Sequence, residues 1–171
     1  MSSPTAFDPI PVLKALTAHG CRFVVIGSFA GRLWGSNIVA DDLDICYARD
    51  RKNYRALATA LREMSARLSG RREEIPFPLD ATAFESGDDF TFETNSGIVG
   101  FVSMPTGSRG FPDLIRGASE MVLDSVRVHV AALEDLIWLK RAAGRPKDLV
   151  ELEILAALRE EIECAKRESR G

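Results

Sequence analysis

Apolar residues in this chain change their spacing several times, and each change marks an element. Val12, Leu13 and Leu16 share one face of a short helix over Pro11 to His19, which Gly20 stops. Arg22 to Ile26 is a β-branched and aromatic run, which predicts a buried strand. Ser28 then reads as the N-cap of a helix through Trp34, ended by Gly35. Leu43 to Tyr47 is a second strand. From Arg51 to Leu68 the residues Tyr54, Leu57, Ala58, Leu61, Met64 and Leu68 recur at helical spacing, which predicts one long helix. Gly70 to Asp89 is polar and carries Pro76 and Pro78, so a loop with little regular structure is expected there.

Beyond it, Phe90 to Thr94 and Ile98 to Ser103 flank Asn95-Ser96-Gly97, the pattern of a hairpin with a tight turn. Phe111 to Ala118 predicts one or two helical turns. Met121 to Leu123 and Arg127 to Ala131 read as strands paired across Asp124-Ser125. Leu133 to Ala143 is a helix stopped by Gly144, and Pro146 suits the first turn of a last helix running towards Lys166. The order is α-β-α-β-α, then strands, then two helices. It predicts an α/β (α+β) fold, a mixed sheet flanked by helices, in a single domain over 1–171. The C-terminal helical part spans about 133–168.

A chain of 171 residues with 46% hydrophobic and 27% charged residues is long enough for one proper core and too apolar for a disordered protein. The net charge of −3 excludes a coat that binds nucleic acid by bulk charge, though not a local basic site. Basic residues cluster at Arg67, Arg71 and Arg72, and at Lys140, Arg141, Arg145 and Lys147. Cys21, Cys46 and Cys164 fit no zinc signature and read as reduced thiols, and His19 and His129 are isolated. No leader pattern or membrane-spanning run is present, so a cytoplasmic protein without membrane contact is expected.

The candidate chemistry sits at the first two strands. Gly27-Ser28 closes the run FVVI, and its backbone N–H groups suit phosphate oxygens where a helix begins. Asp42 and Asp44 are two apart on a strand, so both carboxylates stand on one face, whereas Asp41 points the other way. Neighbouring carboxylates repel unless a proton or cation is shared, and Mg²⁺ held jointly with nucleotide phosphates is the usual solution. Phosphate cradle and metal carboxylates together are the chemistry of nucleotidyl transfer. Lys140 lies in the apolar helix LIWLKRAAG, and Asp148 in the first turn of the last helix. Arg145 is expected to pair with Asp148 or Glu151. Trp34 and Trp138 read as core residues.

Strand, Gly-Ser, short helix and Asp-x-Asp strand resemble the nucleotidyltransferase superfamily of DNA polymerase β. VADDLDICYARDRKNYRALATAL and ALEDLIWLKRAAGRPKDLVELEIL are similar to the small nucleotidyltransferases of the AbiEii and MenT-type toxin group. The resemblance covers about residues 20 to 65 and 90 to 158. It implies a nucleotidyltransferase-like fold and a metal-dependent enzyme that moves NMP from an NTP to an acceptor hydroxyl. The implied acceptor is RNA, tRNA in particular, or protein, and the implied partner is a neutralising antitoxin.

By resemblance, Gly27, Ser28 and Lys140 hold the nucleotide, and Asp42 and Asp44 hold Mg²⁺ (or Mn²⁺). Asp42, Asp44, Lys140 and Asp148 form the catalytic set. The family's third carboxylate, which helps hold a second metal, falls where this chain has Gly100. This departure raises the alternative of a catalytically impaired nucleotide- or partner-binding relative. Glu93, Asp88 and Asp89 flank the hairpin as candidate replacements, with Glu93 on the wrong strand. Lys140→Ala is expected to weaken nucleotide handling with little loss of thermal stability.

Overall fold

The computed structural model describes residues 6–70, 79–86 and 89–171. Helix α1 (Ile10–Ala18) leads into β1 (Phe23–Ile26), α2 (Gly27–Leu33), β2 (Asp42–Tyr47) and α3 (Arg51–Glu63). A short β3 (Arg67–Leu68), α4 (Ala81–Ser86) and the hairpin β4 (Asp89–Thr94) and β5 (Gly97–Val102) follow. The chain ends with α5 (Phe111–Gly117), the hairpin β6 (Ser119–Leu123) and β7 (Val126–Val130), α6 (Leu133–Ala143) and α7 (Pro146–Glu168).

The seven described strands make one mixed sheet in the order β3-β4-β5-β2-β1-β7-β6. β1 runs antiparallel to β2 and parallel to β7, and β2 runs parallel to β5. The mixed α/β architecture expected from the element order is therefore present. The all-apolar β1 is buried along its whole length because it lies inside the sheet with both faces covered.

Register divides the sheet into two chemically different faces, since paired residues on neighbouring strands point the same way. One row, Leu43, Val99 and Phe92, and the next, Ile45, Phe101 and Phe90, face the core. There Tyr54 of α3 and Phe84 of α4 stack at 6.0 Å, and Phe84 meets Tyr47 at 5.8 Å. The opposite rows carry Asp42, Ile98 and Glu93, then Ile26, Asp44, Gly100 and Thr91. That polar face is where the candidate site lies.

Three expectations need correction. The long helix stops at Glu63, Ser65 adopts a positive φ of 52°, and Arg67–Leu68 pairs with Phe92 and Glu93 as an edge strand. Leu68 keeps its apolar environment by joining the sheet, so period alone misassigned it. The segment expected to be a loop contains α4, whose Phe84 is buried in the aromatic core. Residues 71–78 and 87–88, including Arg71, Arg72, Pro76, Pro78 and Asp88, lie outside the described residues. Finally, Ile26 rather than Ser28 is the N-cap of α2, so Ser28 falls inside the first helical turn.

Both hairpins form as expected, and Asp124 and Ser125 take positive φ values of 47° and 68°. This backbone matches the twist of the flanking strands in a two-residue turn. No helix among the described residues is long and apolar enough to cross a membrane.

Candidate active site

The site is built where β1 ends and β2 begins. Antiparallel pairing sets Ile26 opposite Asp44, so the following residue, Gly27, lies against the Asp44 side chain. A Cβ on Gly27 would sit 2.7 Å from Asp44 Oδ2, and its φ is +75°. Glycine is required there twice over, by the left-handed backbone and by the close carboxylate. On the other side of β2, Gly100 is paired with Asp44, and a Cβ there would lie 2.3 Å from Asp44 Oδ1. The Asp44 carboxylate thus occupies the space between two glycines.

Asp42 and Asp44 share this face. Burial, and then the neighbouring Asp42 charge, push the Asp44 carboxyl up from 3.8 to about 6; Lys140, Lys147 and Arg145 act in the opposite direction. Among the described residues neither carboxylate has a hydrogen-bond or ion-pair partner. A partly buried acid without a positive partner is the group that a divalent cation relieves. No group of three His, Cys, Asp or Glu side chains converges among the described residues. Two carboxylates alone could hold a cation only with the rest of its shell supplied by other oxygens, such as those of phosphate and water. Asp42 and Asp44 are the residues that would hold it.

The facing wall comes from the C-terminal helices. Ile26, Gly27, Asp44, Lys140, Arg145 and Asp148 line a common open cleft of about 220 Å³, together with Pro105 and Thr106. Lys140 is only 13% exposed along its side chain. Its Nζ lies 2.5 Å from Glu151 Oε2 and 3.6 Å from Asp148 Oδ1. Lys140 is thus a part-buried, doubly paired ammonium and not a residue held at the surface. Removing it would leave buried carboxylates short of a partner, so a larger loss of stability is expected from Lys140→Ala than the sequence suggested.

Asp148 is buried at the third position of α7. Its Oδ2 accepts from the Arg145 backbone N–H at 3.2 Å and from Arg145 Nε at 2.6 Å. The Arg145 hydrogen bond, against a smaller effect of burial, holds the Asp148 carboxyl below its ordinary value. Arg145 pairs with Asp148, as the sequence suggested.

Of the residues expected at the site, Gly27, Asp44, Lys140 and Asp148 meet at one cleft; Asp42 shares the strand face of Asp44 but does not line that cleft. Ser28 is placed differently. Its Oγ donates to Glu151, 3.0 Å from each carboxylate oxygen, and its side chain is not part of the cleft lining. Glu93 lies on the site face but two strands from Asp42, and its carboxylate accepts from Ser69 Oγ at 3.3 Å. Asp89 sits at the far end of β4, where it accepts from the Ser103 backbone N–H.

Sequence reasoning missed Glu151, which is 5% exposed and touches both Ser28 and Lys140. The signal was present: Asp148, Glu151 and Leu155 recur at helical spacing and form the buried stripe of α7. Trp138 was also misread. It is 53% exposed, and its Nε1 donates to Gly107 O at 2.6 Å, which ties the loop carrying Pro105 and Thr106 to α6. Trp34 is partly buried, as expected, and donates to Ala131 O at 2.9 Å.

No family model matches the sequence, and no curated protein matches it. Solved structures do match in fold. The chain is similar to the lincosamide antibiotic adenylyltransferase LnuA bound to lincomycin, with a TM-score of 0.61 and 9% identity, over 90% of this chain and 99% of that one. It is also similar to the antibiotic-resistance factor ANT(2'')-Ia. The complex with adenylyl-2''-tobramycin gives a TM-score of 0.52 and 18% identity, covering 94% of this chain and 95% of that one. The solution structure gives 0.52 and 14%, covering 94% and 92%. At these identities the likeness establishes a nucleotidyltransferase-like fold.

Proposed function

We propose that this protein is a divalent-metal-dependent nucleotidyltransferase that moves NMP from an NTP to an acceptor hydroxyl. The observation that carries the proposal is the convergence at one cleft of the Cβ-free Gly27, the partnerless Asp44 with Asp42 beside it, and Lys140. In the reaction the acceptor oxygen bonds to the α-phosphorus. The bond to the β-phosphate bridging oxygen breaks, pyrophosphate leaves, and the hydroxyl proton passes to solvent. Mg²⁺ or Mn²⁺, when bound, neutralises phosphate charge. Asp42 and Asp44 would hold it, the missing Gly27 Cβ leaves room for the Asp44 carboxylate, and the Lys140 ammonium would offer a point charge to the phosphates.

The proposed acceptor is RNA, tRNA in particular, and the proposed role is that of a toxin held in check by an antitoxin protein. Its support is the resemblance read from the sequence alone at residues 20 to 65 and 90 to 158. The basic residues Arg145 and Lys147 add little to it. Arg145 is paired with Asp148, and Lys147 Nζ lies 3.9 Å from Glu151. The neighbours ANT(2'')-Ia and LnuA make a small antibiotic the competing acceptor.

A second reading, a binder with impaired transfer, is favoured by Gly100. It stands directly opposite Asp44 and supplies no carboxylate. One experiment separates these readings: each labelled NTP with Mg²⁺ or Mn²⁺, offered total RNA, total protein, tobramycin or lincomycin, beside an Asp42→Ala/Asp44→Ala control. Label on RNA that is lost in the double variant supports the proposal. Label on protein or an antibiotic moves the acceptor. Metal-dependent NTP binding with no transfer to any acceptor identifies the impaired binder.

A further inference from the structure

Ser28 and Glu151 are 123 residues apart and meet behind the cleft, where the mechanism above uses neither side chain. Glu151 is a buried carboxylate with two close partners. Both its oxygens lie 3.0 Å from Ser28 Oγ, and Oε2 lies 2.5 Å from Lys140 Nζ. One carboxylate therefore joins three elements: α2 through Ser28, α6 through Lys140 and α7 through its own backbone. Packing repeats the connection one turn along. A Cβ on Gly31, three residues after Ser28, would lie 3.0 Å from Leu155 Cδ2, four residues after Glu151. Ser28 with Glu151 and Gly31 with Leu155 are two points, one turn apart, at which α2 and α7 touch.

Hydrogen-bond stoichiometry limits what Ser28 can do. A serine hydroxyl has one proton, and here it goes to Glu151. Phosphate oxygens at neutral pH only accept. While the Glu151 contact stands, the Ser28 hydroxyl has no proton for a phosphate, and only its backbone N–H remains for that purpose. Lys140 differs, since an ammonium has three protons. Glu151 takes one, Asp148 is within reach of a second, and the third is available at the cleft that Lys140 lines. Glu151 itself does not line the cleft, so it supports the ammonium from behind instead of occupying the place of a phosphate.

We infer that Glu151 is the positioning residue for Lys140, and that the Ser28 side chain serves the site by holding Glu151, not by touching phosphate. This rests on the proposed nucleotide site and assigns it a support that the Gly-Ser and Asp-x-Asp pattern does not contain. Holding a long, flexible lysine in one rotamer removes an entropy cost that nucleotide binding would otherwise meet.

The test is a double-mutant cycle read by calorimetry. Mg·ATP, Mg·GTP, Mg·CTP, Mg·UTP and inorganic triphosphate with Mg²⁺ are titrated separately into wild type, Ser28→Ala, Glu151→Gln and the double variant. All titrations are run well below each melting temperature. Glu151→Gln is expected to weaken the tightest NTP and inorganic triphosphate alike, by roughly 10-fold or more, the scale of losing a hydrogen bond to a charged group. Ser28→Ala is expected to weaken them less, and the double variant no more than Glu151→Gln alone. Glu151→Asp, which keeps the charge, should recover part of the affinity, and it carries the same cycle if Glu151→Gln folds poorly. Unchanged triphosphate affinity in Glu151→Gln overturns the assignment and makes the residue purely structural. Multiplying losses in the double variant also overturn it, because Ser28 would then act on phosphate by itself. Both results leave the nucleotidyltransferase reading intact. A wild type that binds neither NTP nor triphosphate removes both proposals together.

Discussion

Substituting Gly100→Asp places a carboxylate where the structure has room for none unless Asp44 moves. The new Cβ would lie 2.3 Å from Asp44 Oδ1, so the Asp44 carboxylate must rotate. Rotation is feasible because the clashing atom is the far end of a side chain, but it leaves three acids on adjacent positions. Two unit charges about 4 Å apart at an effective dielectric of about 20 repel by about 4 kcal/mol. The site can escape part of this by keeping Asp44 protonated. With its carboxyl titrating at about 6, protonation at pH 7.5 costs about 2 kcal/mol. That cost limits the loss, which for a domain of this size means a melting temperature lower by about 4–8 °C. Near pH 5.5, where Asp44 is already largely protonated, most of the loss should vanish. Added Mn²⁺ or Mg²⁺ at pH 7.5 should also recover it. Scanning fluorimetry at the two pH values, with and without cation, measures all four conditions. A parallel transfer assay should show faster turnover with NTP affinity roughly unchanged. A loss of stability that ignores both pH and cation would refute the reasoning, because the new side chain would not be facing Asp44.

Asp44→Asn tests the same carboxylate in the other direction. A folded-state pKa of about 6 above the ordinary 3.8 penalises the fold little below pH 4, increasingly between, and fully above pH 6. Asn should therefore raise stability by up to about 3 kcal/mol at pH 7.5, less what solvent access removes, and by almost nothing at pH 4, by denaturant titration. Lys140→Ala should cost about 3 kcal/mol by the same measurement, because it strips a partner from two buried carboxylates. A loss below 1 kcal/mol would mean that the ion pairs form only weakly. Phe84→Ala should cost about 3–5 kcal/mol if α4 belongs to the aromatic core, and close to nothing if α4 is an appendage.

Much of the fold was legible because its elements follow simple periods. Strand β1 is an unbroken apolar run, and α6 and α7 carry their own stop and start signals in Gly144 and Pro146. Leu68 was misread because an edge strand after a helix can continue the helical spacing by coincidence. Phe84 was missed because one aromatic residue in a polar stretch has no period to detect. At the site, the i, i+2 spacing of Asp42 and Asp44 was local and readable. The register that sets Gly100 against Asp44 is a pairing between strands 56 residues apart, which no local pattern encodes. The meeting of Ser28 with Glu151 spans 123 residues and depends on how α7 docks. Sequence spacing showed which residues could share a face of α7, but not which partner that face would meet.

Asp42 and Asp44 are proposed to bind one divalent cation together with an NTP. Calorimetric titration of each NTP into the wild type and into Asp42→Ala/Asp44→Ala, with Mg²⁺ and with EDTA, tests it most directly. NTP binding that needs Mg²⁺ and is lost in the double variant is the predicted result. Binding of equal strength in all four conditions would contradict the account.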